Sequence, residues 1–180
     1  MRATGIVRRI DELGRVVIPK ELRRTLRIRE GDPMEIFTER GGEVVFKKYS
    51  PMGELGEFAE SLCRALHQTA GFPAAICDRD TVVAAAGPGW QALRDRQPGA
   101  ALLRRLEGRE RFCAAGRGLP LPLAEGGGAV VGAAVPILSG GELLGGVLLA
   151  ADPERGRWPA DPELRLLDLA AAFLACQAEP

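Results

Sequence analysis

The fold of the amino-terminal part of the chain is decided by residues 4–19, which read TGIVRRIDELGRVVIP. Residues 4–10 and 15–18 are rich in β-branched side chains, which predicts two short strands. Gly14 lies between the two runs and suits a turn. Pro19 ends the second strand and is well placed to open a helix, because its missing N–H is not needed at the first helical position.

The predicted helix extends from Pro19 to about Leu26 and would gather cations on one face. Its cations recur at i, i+3, i+4 and i+7, and this like-charge spacing costs a few tenths of a kcal/mol per pair. Stability alone disfavours such a face, whereas a phosphate partner would reward it. Arginine outnumbers lysine here and suits bidentate contacts with phosphates or guanine edges. With the cations just upstream, the candidate DNA-binding residues are Arg8, Arg9, Arg15, Lys20, Arg23, Arg24 and Arg27.

The distribution of charge supports the same hypothesis. The chain has no net charge, yet residues 1–50 hold 12 basic and 8 acidic side chains, while residues 51–180 hold 12 and 16. A basic module on an acidic body is typical of a protein that binds a polyanion at one end. A solvated surface is the alternative interpretation of the charges alone.

The rest of the first fifty residues predicts a small β-rich domain. Residues 31–33 (Gly-Asp-Pro) indicate a turn, and strands are expected at 34–40 and 43–48. Gly41-Gly42 between them predicts a two-residue hairpin turn with positive φ at both positions. Four short strands and one short helix give a thin core, and no metal or disulfide is visible to staple it. Oligomerisation is then the remaining way to complete the core of this small domain.

The larger part of the chain predicts an α/β sandwich built on an antiparallel sheet. A linker is expected at 51–55, followed by an apolar-striped helix that stops at Gly71. Strands are predicted at 73–77, 82–86, 129–138 and 143–151, and helices at 101–106 and from Asp161 to about Gln177. A Gly/Pro-rich loop is expected at 116–128.

The final helix has little polar face. One side of the helix is expected to pack against the sheet of its own domain. The other side would be covered by another subunit or by the first helix of the same domain.

Several classes of protein are disfavoured by composition. No apolar run reaches about 18 residues and no secretory signal is visible, so a cytoplasmic protein without membrane contact is expected. The four cysteines form no C-x-x-C pair, and the chain has one histidine. Buried free thiols are therefore expected, with no catalytic residues, no metal and no cofactor.

The first fifty residues resemble the AbrB-type DNA-binding domain. The resemblance extends from Thr4 through the IDELGRVVIP run, Glu21–Leu26 and Gly31-Asp32 to residues 46–49 (Phe-Lys-Lys-Tyr). Such domains are swapped-hairpin dimers in which two chains interlace their strands. The resemblance implies DNA contacts by Arg8, Arg9, Arg15, Arg23 and Arg24, to which the charge argument adds Lys20 and Arg27.

The remainder is similar to sporulation regulators that carry a GAF-like domain behind an AbrB-type domain. The similarity lies in residues 27–33, 50–51, 54–56, 76–80 and 170–175. It implies a homotetramer that activates and represses late gene expression at the forespore nucleoid, with a GAF-like domain that senses a small molecule. The expected division is a DNA-binding domain at 1–50, a linker at 51–55 and a GAF-like sensor and oligomerisation domain at 56–180.

Two other functions are compatible with parts of the sequence. Related swapped-hairpin domains serve in antitoxins, although an antitoxin usually ends in a disordered tail, which the apolar final helix argues against. Some GAF-like domains reduce free methionine sulfoxide with cysteines, which draws attention to Cys63, Cys77 and Cys113. A reductase needs an accessible thiolate of low pKa, and Asp78 beside Cys77 would oppose one.

Overall fold

A computed structural model describes residues 4–114, 121–124 and 127–178 of the chain. The contacts divide the chain into two units, Met1–Tyr49 and Ser50–Pro180. Much of the predicted loop at 116–128 lies outside the described residues. Both units combine helices with antiparallel strands, so the predicted α+β class is confirmed.

The smaller unit contains one helix and one hairpin, α1 (Lys20–Thr25), β1 (Met34–Thr38) and β2 (Val44–Lys48). The hairpin loop differs from the predicted two-residue turn. The Glu39 N–H donates to the Glu43 carbonyl at 3.0 Å, and only Gly42 has positive φ. This is the three-residue loop with one left-handed residue that hairpins also favour.

The predicted strands at 4–10 and 15–18 are absent from the single chain. These residues are exposed, apart from the half-buried Ile18, and they enter no ladder. The turn between them is ordered, since the Asp11 N–H donates to the Arg15 carbonyl at 3.0 Å and Gly14 takes φ +75°. A strand requires a backbone partner, and one copy of the chain supplies none here.

The smaller unit lacks a core of its own. Pro19 is the only buried residue among those described in it. One face of the hairpin presents Ile36 directly opposite Phe46, and the two side chains are 61% and 45% exposed. Other large apolar side chains are more exposed still, including Val7, Leu13 and Val17.

The larger unit is a sandwich around an antiparallel sheet in the order β4-β3-β8-β7-β5, with β6 also paired to β7. Besides a short 3₁₀ turn, Gln91–Leu93, its elements are α2 (Pro51–Glu54), α3 (Gly56–Ala70), β3 (Ala74–Asp78), β4 (Val82–Ala86), α4 (Ala100–Glu107), β5 (Phe112–Cys113), β6 (Leu121–Pro122), β7 (Val130–Ser139), β8 (Glu142–Ala150) and α5 (Asp161–Gln177). The predicted helices and long strands are present, within a few residues at their ends.

Each face of this sheet has a closed apolar layer. Residues of α2, α3 and α5 pack on one face with Ile76, Ile137 and Leu149. Leu102 and Leu106 of α4 pack on the other face with Leu148. The glycine-glycine turn that was expected at 41–42 occurs instead between β7 and β8, where Gly140 and Gly141 both take positive φ.

The predicted linker at 51–55 is wrong in its conformation. Ser50 caps α2 by accepting a hydrogen bond from the Gly53 N–H at 3.2 Å, and Pro51 occupies the first helical position. The Ser50 hydroxyl also donates to Asp78 Oδ2 at 2.8 Å. Met52 is fully buried in the core. This segment is therefore part of the larger unit.

The final helix, α5, is covered by both of the expected partners within its own unit. Leu167, Ala170 and Leu174 are buried, and the helix contacts β7, β8 and α3. Leu169 and Phe173 nevertheless stay 70% and 45% exposed. One apolar strip of the helix is thus left uncovered in the single chain.

Candidate nucleic-acid interface

Helix α1 carries three of the predicted DNA-binding residues. It begins directly after Pro19, whose φ of −57° suits a helix start. Lys20 and Arg24 are exposed and lie four residues apart, so they share a face. Arg23 is half-buried, and its Nε has no hydrogen-bond partner among the described atoms. A buried guanidinium N–H without an acceptor is costly.

Arg27 does not lie on the helix face that its spacing predicted. The helix is closed by paired bonds from the Ile28 N–H to the Arg23 carbonyl at 2.8 Å and from the Arg27 N–H to the Arg24 carbonyl at 3.3 Å. This pattern needs a left-handed residue just after the helix, and Arg27 takes it with φ 55°. Its side chain therefore leaves the chain at the helix end rather than in register with Lys20.

Arg15 is held by the turn that precedes α1. Its Nε donates to Asp11 Oδ2 at 2.8 Å, and its backbone N–H donates to Asp11 Oδ1 at 2.7 Å. The backbone hydrogen bond from Arg15, followed by the side-chain bond, lowers the pKa of Asp11 from its ordinary value. Asp11 thereby fixes Arg15 at the end of the turn and offsets part of its charge.

The other predicted cations have no such partner. Arg8 and Arg9 are exposed in the extended segment before the turn. In the described part of the chain, no carboxylate forms a recorded ion pair with Arg8, Arg9, Lys20, Arg24 or Arg27. These side chains are available to neutralise the phosphates of a polyanion.

The sequence reasoning overlooked two residues that order this region. Lys48 Nζ lies 2.9 Å from Asp32 Oδ2 and donates to the Arg27 carbonyl at 3.2 Å, so it ties β2 to the segment after α1. Asp11 fixes Arg15. The Asp11–Arg15 pair could have been predicted from the sequence, because an acid and an arginine flank a glycine turn. The Lys48 contact spans 21 residues, and no local sequence pattern indicates it.

Two of the thiols lack the features of a reductase nucleophile. Burial raises the pKa of Cys63 to about 12, and burial followed by the nearby Asp78 charge raises that of Cys77 to about 12. Both thiols are protonated at neutral pH and are poor nucleophiles. Cys113 is half-buried, and its Sγ lies 3.4 Å from the Pro159 carbonyl oxygen.

The described residues offer neither a metal site nor a membrane-spanning helix. No group of three or more histidine, cysteine or acidic side chains in residues 4–114, 121–124 and 127–178 could hold a metal ion. No helix in that part of the chain is both long enough and apolar enough to cross a bilayer.

Two family profiles together cover most of the chain. Residues 54–179 match the family described as "Stage V sporulation protein T C-terminal, transcription factor". Residues 7–53 match "Antidote-toxin recognition MazE, bacterial antitoxin". The boundary between the two matches falls within α2.

Individual relatives agree with these profiles. Over 87 residues the chain is 66% identical to stage V sporulation protein T of Bacillus subtilis, covering 48% of this chain and 49% of the relative. Over 51 residues it is 59% identical to the transition state regulatory protein AbrB of the same organism, covering 28% and 52%. The chain thus spans about half the length of these relatives.

A solved structure shares the fold of the larger unit. It is a type II free methionine-R-sulfoxide reductase from Thermoplasma acidophilum, with a TM-score of 0.52 and 11% identity, over 71% of this chain and 94% of that one. At that identity the likeness concerns the fold alone.

Proposed function

The chain belongs to the stage V sporulation protein T C-terminal family of transcription factors, and we propose that it is a sequence-specific DNA-binding regulator of late, forespore gene expression. The observation that carries this proposal is the set of unpaired cations around α1, in a segment 59% identical to AbrB. Activation of some genes and repression of others, at the nucleoid in the cytoplasm, follow from the same resemblance.

The proposed DNA contacts are made by residues from three short segments. Arg8 and Arg9 come from the extended segment, Arg15 from the turn, and Lys20, Arg23 and Arg24 from α1, with Arg27 at the helix end. Most contacts of this kind go to phosphates and set the register, while arginines that reach guanine edges specify sequence. The half-buried Arg23 is proposed to make its contact through the terminal guanidinium nitrogens, because its Nε is buried.

The test is the double variant Arg23→Ala/Arg24→Ala in the full chain, on the site that a genomic footprint identifies as strongest. Each lost phosphate contact should lower the slope of log K against log salt by about 0.9, and each lost base contact should cost about 1–3 kcal/mol. The control is Arg104→Ala/Arg165→Ala, which removes two exposed arginines from helices of the larger unit. Equal binding by the two double variants would contradict the proposal.

The DNA-binding unit is proposed to be a dimer that interlaces its strands. Exposed apolar residues on the hairpin and in residues 4–18 support this, because a second copy would supply both a backbone partner and a core. Sedimentation of the full chain with and without residues 1–50 measures this contribution. An unchanged oligomer after deletion would argue against a dimer through this unit.

A second interface is proposed on α3 and α5, giving a tetramer. Leu62, Leu166, Leu169 and Phe173 line an apolar groove of about 260 Å³ between these helices. The Phe58 and Phe173 rings, 5.2 Å apart, bound the same strip. We assign a second copy of the chain as its occupant, because the groove is continuous with the apolar strip of α5, Leu169 and Phe173, that stays exposed in the single chain. Leu169→Asp should reduce the assembly to dimers and leave DNA binding per dimer intact.

The division of labour is proposed as DNA binding by residues 1–50 and sensing with oligomerisation by residues 56–180. Residues 51–55 would couple the two rather than separate them, since α2 is anchored by Met52 and by the Ser50–Asp78 bond. A small molecule that favours one state of the larger unit would then change operator affinity by about 5- to 150-fold, and DNA would change its affinity equally.

The enzymatic and antitoxin alternatives are less well supported. The raised pKa values of Cys63 and Cys77 disfavour thiolate chemistry, so we propose a non-enzymatic role without a cofactor. The antitoxin profile covers only residues 7–53, the segment for which AbrB is an equally direct relative. Turnover of free methionine sulfoxide that is lost with Cys113→Ser would reverse this choice.

A further inference from the structure

A cavity of about 600 Å³ lies at one end of the sheet in the larger unit. It is placed where β3 and β7 begin and where β4 and β8 end, and the loop from Ala151 to Arg157 closes one side. Its volume is within the range of small-molecule sites. It is separate from the α3–α5 groove, with which it shares no lining residue.

The floor of the cavity is aromatic. Phe72 and Trp90 both line it and are only 7% and 4% exposed. Pro73, Ala129 and Val130 extend the apolar wall. The half-buried Pro73, Ala129 and Val130 therefore offer more apolar surface to a ligand than the two buried rings do.

One cation at the rim is fixed in place and has donors to spare. The Arg157 guanidinium lies 4.8 Å from the Phe72 ring centroid, and its Nη2 donates to the Gly71 carbonyl at 3.3 Å. Two backbone hydrogen bonds with Asp152, both 2.9 Å, hold the residue itself. No carboxylate among the described residues forms a recorded ion pair with Arg157, whereas its neighbour Arg155 pairs with Asp152. A guanidinium has five N–H donors, so most of those on Arg157 remain for an anion.

The wall that includes His67 carries a polar atom and lies beside a close backbone approach at Gly87. His67 Nδ1 lies 2.9 Å from the Phe72 carbonyl oxygen, which only accepts, so Nδ1 carries the proton and Nε2 of the neutral ring is an acceptor. At Gly87, with φ +99°, a Cβ would lie 2.8 Å from Pro73 Cα and 3.1 Å from His67 Cε1. Together with Glu154 at the rim, this wall offers acceptors to a cationic group.

We propose that this cavity binds a small organic carboxylate with an apolar body, its carboxylate on Arg157 and its body against the half-buried Pro73, Ala129 and Val130, in the cavity that Trp90 also lines. The proposal deepens the sensing role proposed above and rests on it only for its biological meaning. Bidentate pairing of arginine with a carboxylate is the strong, oriented contact that the free donors of Arg157 favour. Plain carboxylic acids and amino acids share this chemistry; His67 and Glu154 would contact the amino group of the latter.

The test uses three probes on the full chain, phenylacetate, L-phenylalanine and the uncharged phenylacetamide. Binding is measured by calorimetry and by the NMR shift of the Trp90 indole N–H. Phenylacetate should bind about 10- to 100-fold more tightly than phenylacetamide, the effect of one charged hydrogen-bonded contact. Arg157→Gln should remove this preference, Arg157→Lys should restore part of it, and Arg165→Gln, with the same loss of charge outside the cavity, should leave it unchanged.

A second variant tests the cavity rather than the cation. Ala129→Leu narrows the space at a half-buried position and should weaken all probes that bind. If L-phenylalanine binds more tightly than phenylacetate and this difference disappears in Glu154→Gln, amino acids are the class of ligand. If the two carboxylates bind equally, plain acids are the class. Either result supports the carboxylate site.

The proposal is overturned if neither carboxylate binds at about 10 mM, a concentration that detects even weak, millimolar binding. It is also overturned if Arg157→Gln binds phenylacetate as the parent does. Failure of the proposed DNA-binding function would show separately, as operator affinity unaffected by Arg23→Ala/Arg24→Ala. A folded Arg157→Gln chain should bind DNA normally without a probe.

Discussion

The two units of this chain solve the problem of burying apolar side chains in opposite ways. The larger unit closes two apolar layers around its own sheet, so that Ile76, Leu102 and Leu149 are fully buried within one chain. The smaller unit leaves Ile36, Phe46 and its amino-terminal segment exposed. A unit with a complete core specifies its own fold, whereas a unit without one specifies an assembly. The proposed function follows the same division, since DNA sites with two-fold symmetry are read by dimers.

The largest effect is expected from Phe46→Asp. In a single chain Phe46 is 45% exposed, and a surface change should cost within about 0.5 kcal/mol. If a second copy covers the hairpin face, the change removes a buried ring and buries a charge, which costs at least about 3–5 kcal/mol. We expect the smaller unit to unfold and DNA binding to be lost.

Circular dichroism and heteronuclear NMR of the full chain measure this outcome, with signals of the larger unit as an internal reference. The control is Lys47→Gln, on the other face of β2 and opposite Glu35, where the hairpin should stay folded. If Phe46→Asp melts as the parent does, the comparison between the units fails.

The second effect tests where the self-sufficient unit begins. Met52 lies in the segment that was expected to be a linker, yet it is fully buried. Met52→Ala should lower the free energy of unfolding of the larger unit by about 2–5 kcal/mol. Glu57→Ala, at an exposed position near the start of α3, is the control and should cost little. Equal melting of the two variants would return residues 51–55 to the status of a linker.

What the sequence could predict depends on how local the cause of each feature is. The helices α3 and α5 and the long strands follow from apolar periodicity, and Gly71 stops α3 in a left-handed conformation as expected. The helix α2 has a local signal, Ser50 as cap and Pro51 at the first position, which was interpreted as a linker. Residues 4–18 have no partner strand within one chain, so the structure of one chain gives no basis for pairing them.

The candidate site shows the same limit. Spacing alone placed Lys20, Arg23 and Arg24 on one helix, because the periodicity of a helix is a local property. The early end of α1 depends on a closing pattern in which an arginine takes a conformation that usually belongs to glycine. That departure from local preference could not be anticipated from composition.

A smaller effect is expected at that arginine and separates its backbone from its charge. Arg27 holds φ 55°, a conformation that costs a residue with a side chain about 1–2 kcal/mol. Glycine avoids this cost, but part of the gain is lost because glycine is more flexible in the unfolded state. Arg27→Gly should therefore stabilise the smaller unit by up to about 1 kcal/mol, while Arg27→Ala should not. Both should lower the salt slope of DNA binding by about 0.9 if Arg27 contacts a phosphate. Thermal melts and salt titrations of the pair check this, and an unchanged slope would remove Arg27 from the interface.

The smallest effect concerns pH and is confined to the exposed turn of the smaller unit. Hydrogen bonds from Arg15 lower the pKa of Asp11 below its ordinary value of 3.8. A carboxyl whose pKa is lower in the folded state stabilises that state above its unfolded pKa, and the contribution is lost as the pH falls through the lowered value. The turn should thus stay intact at neutral pH and loosen only in acid below 3.8.

An NMR titration that follows the amide N–H groups of Leu13 and Arg15, both bonded to Asp11 Oδ1, measures this directly. Asp11→Asn should abolish the transition and free the Arg15 side chain. A midpoint at or above 3.8 would show that Arg15 is not held by Asp11, and the turn would then not orient it toward DNA.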